Sequence, residues 1–177
     1  MTLATATDMN DRRAHPSVLR SAQLDVQTQR ADVAALKACW SNVAAPVAIV
    51  TLRDSEGKVH GTTITAFSSI SFDPAIVMIS LAHGANFLKH LNDHGDAAAI
   101  FALNIMAPTH AVLAATCASK AVDKFDKEQF VEGHHVPFIV GASASFACSV
   151  NNMLDAGDHR LVFANIAHAL SGPPQPG

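Results

Sequence analysis

The chain has 177 residues, of which 49% are hydrophobic and 15% are charged, and its formal net charge at pH 7 is −3. This composition excludes general disorder and is typical of one domain with a sizeable core. The basic residues are scattered, which argues against a nucleic-acid partner, and no apolar run reaches the ~20 residues of a membrane-spanning helix. Because the chain has more apolar residues than a soluble monomer usually needs, we expect a homodimer. Residues 1–32 are polar and lack a signal-peptide pattern, so we expect a cytoplasmic protein.

The first predicted element follows a flexible N-terminal tail over residues 1–30. A helix over 31–42, with apolar residues at helical spacing, opens a single domain that we expect to end at residue 170. Pro46 then returns the chain to extended structure. Residues 171–177 are rich in proline and glycine, so we expect a disordered C-terminal tail.

Short apolar runs bounded by turn residues predict a series of β-strands. The predicted strands are 47–52, a second strand that contains a hydroxyl-rich segment, 75–81, 98–105, one or two strands within 138–150, and 161–169. Short helices are predicted over 87–92 and 108–118. Many short strands with few helices indicate a mainly β protein built as a closed or split β-barrel. A Rossmann domain is disfavoured because no Gly-x-Gly-x-x-Gly sequence follows a strand.

The hydroxyl-rich segment, residues 60–74, lies between two of these apolar runs. Its hydroxyl groups belong to Thr62, Thr63, Thr65, Ser68, Ser69 and Ser71. A strand edge with many hydroxyls and free backbone N–H groups can bind a polar heterocycle or a phosphate without a charged residue. The alternative is a threonine-rich β-ribbon without a ligand, since threonine has a high strand propensity.

Three other positions are candidates for cofactor contacts. His159 follows Gly157-Asp158 at a predicted turn, where it could hydrogen-bond a reduced ring system or could simply be bonded to Asp158. Lys124 could pair with a phosphate, with Phe125 packed near a ring, or it could be an exposed lysine beside a buried phenylalanine. Lys89 is a second candidate for a phosphate contact.

The sequence contains ten histidines and three cysteines. His90 and His94 have i,i+4 spacing, but Gly95 ends the predicted helix and no third ligand has a suitable spacing, so we expect no metal site. The cysteines form no Cys-x-x-Cys pair and are expected to be reduced, buried thiols.

Several motifs, taken in order over residues 36–168, resemble the short-chain flavin reductase family. The motifs are Gly61-Thr62-Thr63, Thr65 to Ser71, Asp73-Pro74, Phe101 to Ala107, Lys124-Phe125, Pro137 to Cys148, and Gly157-Asp158-His159. The resemblance implies a dimeric FMN-binding split barrel of the flavin reductase-like type. It also implies an NAD(P)H:flavin oxidoreductase that uses NADH or NADPH to reduce FMN or FAD, with the diffusible reduced flavin passing to a separate monooxygenase component.

The same resemblance implies a catalytic role for His159 beside the cofactor. The cofactor-binding residues that it implies are Thr63, Ile64, Thr65, Ala66, Ser69, Lys89, Lys124, Phe125, Asp158 and His159. Gly84-Ala85-Asn86-Phe87 replaces the hydroxyl pair that is frequent in the family's phosphate loop, which leaves the choice between FMN and FAD open. The alternative function is a flavin-binding carrier or electron-transfer partner without robust NAD(P)H oxidase activity.

Overall fold

The structure is a computed structural model that describes residues 32–93, 99–119, 124–126 and 129–172. The predicted N-terminal tail and residues 173–177 of the predicted C-terminal tail lie outside the described residues. The chain divides into two compact units, residues 1–43 and 44–177.

The described part of the first unit contains the predicted helix, α1, at Val33–Trp40. Asp32 caps its N-terminus, because Asp32 Oδ1 accepts a hydrogen bond of 2.7 Å from the Ala35 N–H. Cys39 on this helix is exposed. The expectation of a buried thiol is therefore wrong for Cys39, whereas Cys117 and Cys148 are buried as expected.

The second unit is dominated by a seven-stranded antiparallel sheet and a separate β-hairpin. The strands are β1 (Ala48–Arg53), β2 (Val59–Ile64), β3 (Phe67–Phe72), β4 (Ala75–Ala82), β5 (Ile100–Ile105), β6 (Phe130–Gly133), β7 (Val136–Ile139), β8 (Ala144–Ala156) and β9 (His159–Ser171). The sheet has the order β2-β1-β5-β8-β9-β4-β3, and β6 pairs with β7. Two helices complete the unit, α2 (Asn86–Asp93) and α3 (Ala111–Ala118), the second preceded by a 3₁₀ turn at Pro108–His110.

The sheet curls into a barrel because its two edge strands are consecutive in the chain. Only Thr65 and Ala66 separate β2 from β3, so the two edges of the sheet must lie close together. Alternate residues of each strand face the interior, where Val50, Ile79 and Leu103 are at most 1% exposed. The mainly β split-barrel fold predicted from the sequence is confirmed.

The outer face of β1 and β5 is covered by β7, which a buried asparagine joins to the sheet. Asn104 Nδ2 donates to the Ile49 carbonyl and to Thr51 Oγ1, both at 3.1 Å. Asn104 Oδ1 accepts from the Ile139 N–H at 3.1 Å and from Ser145 Oγ at 2.9 Å. All these groups are buried, so each lost bond would leave an unpaired polar atom in the core.

The hydroxyl-rich segment differs from its predicted single strand. Residues Val59–Ile64 and Phe67–Phe72 form separate strands at opposite edges of the sheet. Thr65 and Ala66 are exposed at the point where the chain crosses between the edges. The run carries no Gly or Pro at this crossing, and its strand propensity is continuous, so periodicity alone does not reveal the break. The hairpin strand β6 was also not predicted.

Candidate functional site

The crossing between β2 and β3 lies at the same end of β4 as His159. The Ser80 N–H donates to the Ala66 carbonyl at 2.9 Å, and Ala82 pairs with His159 in the β4–β9 ladder. Two residues along a strand span about 7 Å. The register of β4 therefore places Ala66 and His159, two predicted site residues that are far apart in sequence, on either side of the same end of this strand.

His159 lies at the start of β9, directly after a tight turn. Gly157 has a φ of 62°, in the left-handed region that glycine adopts without a steric penalty. His159 Nδ1 lies 2.7 Å from Asp158 Oδ1, and this hydrogen bond lowers the pKa of Asp158. An ionised carboxylate only accepts, so Nδ1 carries the proton in this contact. The imidazole is still 43% exposed, so Asp158 can orient the ring without withdrawing it from a ligand.

Charged groups surround this turn. Arg160 Nε and Asp155 Oδ1 lie 2.8 Å apart, and the pKa of Asp155 is lowered chiefly by this hydrogen bond. His83 Nδ1 lies 3.8 Å from Asp155 Oδ1, and the His83 N–H donates to the Asp158 carbonyl at 3.1 Å. Sequence reasoning missed His83, Asp155 and Arg160, because only the pairing of β4, β8 and β9 brings residue 83 to residues 155–160.

A second group of predicted residues lies between β2 and α3. Lys124 Nζ donates to the Cys117 carbonyl at 2.8 Å, near the C-terminus of α3, where a cation is favourable. Thr63 Oγ1 donates to the Ala114 carbonyl of the same helix at 2.7 Å. Thr63 and Lys124 thus both bind α3 through hydrogen bonds to its backbone.

The ring of Phe125 leaves no room for a side chain at position 61, which is a glycine. A Cβ atom added to Gly61 would lie 2.6 Å from Phe125 Cζ and 2.9 Å from the Val50 carbonyl oxygen, so a larger residue would displace the ring. On its other side Phe125 packs against Phe130, with the ring centroids 4.9 Å apart. The first glycine of the hydroxyl-rich segment therefore serves ring packing.

Lys124 and Phe125 also line a cavity of about 670 Å³ beside α3. Leu113, Thr116 and Gln129 contribute to its wall. This volume lies within the range of 300–1,000 Å³ that is typical of small-molecule sites, and the lining combines apolar surface with a few polar groups.

The remaining predicted site residues are distributed over three elements. Ile64 is 7% exposed and faces the barrel core, so only its backbone is able to reach a ligand. Ser69 is exposed on β3 opposite Val77, about 10 Å along the strand from Ala66. Lys89 is exposed on α2. The structure therefore places Thr65, Ala66, Asp158 and His159 at the same end of β4, and Thr63, Lys124 and Phe125 beside α3.

The donors of the first group fit the polar edge of a flavin. Among the described strands β3 pairs only with β4, so the backbone groups on its other side have no partner strand in this part of the chain. The exposed residues Thr65 and Ser69 add hydroxyl groups along this edge of β3. The carbonyl oxygens and the unprotonated ring nitrogen of a flavin's pyrimidine edge accept hydrogen bonds from N–H and O–H donors of this kind, and its N3–H group can donate to a backbone carbonyl.

Comparisons with family models, curated proteins and solved structures all identify the same family. The family model described as "Flavin reductase like domain" matches residues 40–175. The chain is 30% identical over 136 residues to NADH:riboflavin 5′-phosphate oxidoreductase from Streptomyces pristinaespiralis, which covers 76% of this chain and 75% of that protein. No helix of the described residues is long and apolar enough to cross a membrane.

Two solved structures have similar folds. The styrene monooxygenase flavin reductase of Pseudomonas putida S12 has a TM-score of 0.71 and 28% identity, with 80% of this chain and 88% of that chain covered. The NADH:FAD oxidoreductase SgcE6 of Streptomyces globisporus, solved in complex with NAD and FAD fragments, has a TM-score of 0.71 and 25% identity. That alignment covers 79% of this chain and 82% of SgcE6.

Proposed function

The chain belongs to the flavin reductase-like domain family, and we propose that it is an NAD(P)H-dependent reductase of FMN or FAD. In this proposal the reduced flavin leaves the protein and serves a separate monooxygenase component. The observation that carries it is that His159 and the Thr65-Ala66 crossing lie on either side of the same end of β4. The names of the relatives, an NADH:riboflavin 5′-phosphate oxidoreductase and a styrene monooxygenase flavin reductase, support the same reaction.

The flavin supplies the redox chemistry when it is bound, and hydride transfer from a nicotinamide requires no general base. The protein must therefore hold two rings at the right distance and stabilise the charge that develops. We assign the binding of the flavin's polar edge to the open edge of β3 and to the hydroxyls of Thr65 and Ser69.

His159 would act from β9, at the end of β4 where the Thr65-Ala66 crossing also lies. Asp158 accepts the Nδ1 proton at 2.7 Å, which fixes the ring and leaves Nε2 on the exposed part of the imidazole. A histidine held in this way can donate from Nε2 when protonated, and so stabilise negative charge on a reduced ring.

The cavity beside α3 supports a site for the flavin's phosphate or for part of the nicotinamide cofactor. Lys124 lines it with a positive charge, and the ring of Phe125 provides apolar surface. An ammonium group has three N–H donors. Two of those of Lys124 point to the carbonyls of Cys117 at 2.8 Å and Gly61 at 3.5 Å. Within the described residues the third donor is therefore left for an anionic ligand.

The exposed apolar residues of the sheet support a homodimer. Phe72 is 91% exposed and Ile70 is 51% exposed, both on the edge strand β3, and Leu154 on β8 is 56% exposed. Exposed apolar side chains mark an interaction site where they form a large contiguous patch, and we propose that Phe72 and Ile70 belong to one. We place this dimer in the cytoplasm, where NADH and NADPH are available to reduce a diffusible flavin.

Steady-state oxidation of NADH and NADPH, followed with and without FMN, FAD or riboflavin, tests the proposal directly. A reductase oxidises the nicotinamide many times per protein only when flavin is added. Tight flavin binding without turnover would refute the proposal and would instead indicate a flavin carrier. Adding oxygen and a monooxygenase component is unnecessary for this distinction.

A further inference from the structure

Three potential metal ligands from three different elements meet on the side of the barrel where α2 covers β2. They are Asp54 in the β1–β2 turn, His60 on β2 and His90 on α2, and one ligand atom of each lies within 4.8 Å of the others. His60 Nε2 lies 2.7 Å from Asp54 Oδ2. The imidazole rings of His60 and His90 are stacked, with centroids 3.6 Å apart and an interplanar angle of 23°.

Asp54 is held in place by the turn that it belongs to. Its Oδ1 accepts hydrogen bonds of 2.9 Å from the backbone N–H groups of Glu56 and Lys58. Its Oδ2 is thereby turned toward His60. Backbone hydrogen bonds that orient a carboxylate in this way are typical of metal ligands.

The helix α2 brings His90 to this place through its apolar face. Phe87, Leu88 and Leu91 are buried in the barrel core, at 1–3% exposed, which fixes the rotation of the helix. His90 lies three residues after Phe87 on the same helix, and its ring stacks on that of His60. Sequence spacing pointed to His94 as the neighbour of His90, and His94 lies outside the described residues. His60 could not be predicted as a neighbour because thirty positions separate His60 from His90.

We propose that Asp54, His60 and His90 bind one Zn²⁺ ion, with water completing a tetrahedral site. Two imidazoles and one carboxylate, with a fourth position open, form a ligand set that zinc accepts. At Zn–N and Zn–O distances of about 2.1 Å, tetrahedral ligand atoms lie about 3.4 Å apart. The ligand atoms lie within 4.8 Å of one another and the His60–Asp54 pair is 2.7 Å apart, so side-chain rotations that change these separations by about 1.4 Å or less would close the site around the ion.

Solvent access and the surrounding fold are consistent with this site. The side chains of His60 and Asp54 are 22% and 19% exposed, so water can reach the open position. The metal would link the β1–β2 turn to α2. Because the ion binds only the folded arrangement, zinc should raise the melting temperature.

Zinc titration of the full-length, untagged chain tests the proposal. The protein is treated with a chelator, desalted, and titrated with Zn²⁺ by calorimetry without flavin or nicotinamide. We expect one ion per chain and a rise in melting temperature. Asp54→Asn, His60→Gln and His90→Gln should each weaken binding by more than about tenfold, because each removes one of three protein ligands. Asp54→Asn keeps an oxygen for the Glu56 and Lys58 N–H groups, so the turn should remain folded.

His168→Gln is the matched control. His168 lies on β9 and also stacks on another histidine, His134, with ring centroids 3.4 Å apart. Zinc affinity should be unchanged in this variant. The proposal is overturned if the parent binds no zinc, if the three variants bind zinc as tightly as the parent, or if only His168→Gln loses it. These measurements use no flavin, so their failure would leave the proposed reductase activity untouched.

The absorption spectrum of the Co²⁺-substituted protein adds a second readout. Tetrahedral coordination by nitrogen and oxygen ligands should give intense visible bands in the parent and in His168→Gln. These bands should be lost in His90→Gln. An octahedral Co²⁺ spectrum, weak and identical in all variants, would contradict a built site.

Discussion

His159 on β9 lies opposite Ala82 on β4, two residues beyond the Ser80 N–H that donates to the Ala66 carbonyl. This relationship makes His159 the test of the proposed reaction. His159→Ala should lower NADH-dependent flavin reduction by one or two powers of ten, about 1.4–2.7 kcal/mol of barrier, because a donor to the reduced ring is lost. Flavin affinity should remain within a few fold of the parent value.

Stopped-flow reduction of bound flavin, measured beside a melting curve, checks this expectation. His168→Ala is the control, since His168 is another exposed histidine on β9. If His159 only supports the turn through Asp158, its alanine variant will melt earlier but reduce flavin at the parent rate. That result would remove His159 from the mechanism.

The open edge of β3 should determine flavin affinity. The double variant Thr65→Ala, Ser69→Ala removes two exposed hydroxyls, and each lost hydrogen bond should weaken binding by about 0.5–1.5 kcal/mol. Ser68→Ala is the control, because neighbouring residues of a strand point to opposite faces. Fluorescence titration with FMN and with FAD measures the loss. Equal affinities for the double variant and the parent would place the flavin elsewhere.

The fold could be predicted largely because its strands are short, apolar and bounded by turn residues. β4 is one example, since Asp73-Pro74 precedes it and Gly84 follows it, and the predicted strand 75–81 agrees with Ala75–Ala82. Propensity could not separate β2 from β3, because the break at Thr65-Ala66 is imposed by barrel closure. A closure of this kind depends on the positions of distant strands.

The candidate sites were less predictable than the fold because their residues are brought together by strand register. Gly157-Asp158-His159 is continuous in the sequence and could be found as a motif. His83 approaches Asp155 only because β9 pairs with both β4 and β8. The hydrogen bonds of Asn104 are likewise made across strands, and nothing local to position 104 indicates them.

Asn104 should be important for stability. Asn104→Ala leaves the Ile139 N–H and Ser145 Oγ without their buried acceptor, and we expect a loss of about 2–4 kcal/mol in the free energy of unfolding. Urea denaturation measures the loss. The control Asn165→Ala changes an exposed asparagine on β9 and should cost no more than about 0.5 kcal/mol. Similar losses in the two variants would contradict a special role for the buried amide.

Phe72 should contribute to the proposed dimer. Phe72→Lys places a charge where an apolar ring would be buried, so the dissociation constant of the dimer should rise by more than about tenfold. Light scattering over a range of concentrations measures the change. Val131→Lys is the control, because Val131 is 56% exposed but lies on the β6–β7 hairpin. A monomeric parent at micromolar concentration would exclude the dimer itself.

Lys124 should bind the phosphate of the flavin, since it lines the cavity beside α3 and has a donor beyond those used on Cys117 and Gly61. Lys124→Met should weaken FMN binding by about ten- to a hundredfold, because a charge-assisted hydrogen bond contributes about 1.5–3 kcal/mol when it is lost. Riboflavin has no phosphate, so its affinity should change little.

Comparing the two flavins separates phosphate binding from damage to the fold. Loss of the Lys124 ammonium also removes its contact with the C-terminus of α3, which would weaken FMN and riboflavin binding together and lower the melting temperature. Lys89→Met tests the alternative phosphate contact on α2, and Lys37→Met on α1 is the control for a lost positive charge. If Lys89→Met alone changes the ratio of FMN to riboflavin affinity, the phosphate lies at α2 and the cavity beside α3 is left for another part of the cofactors.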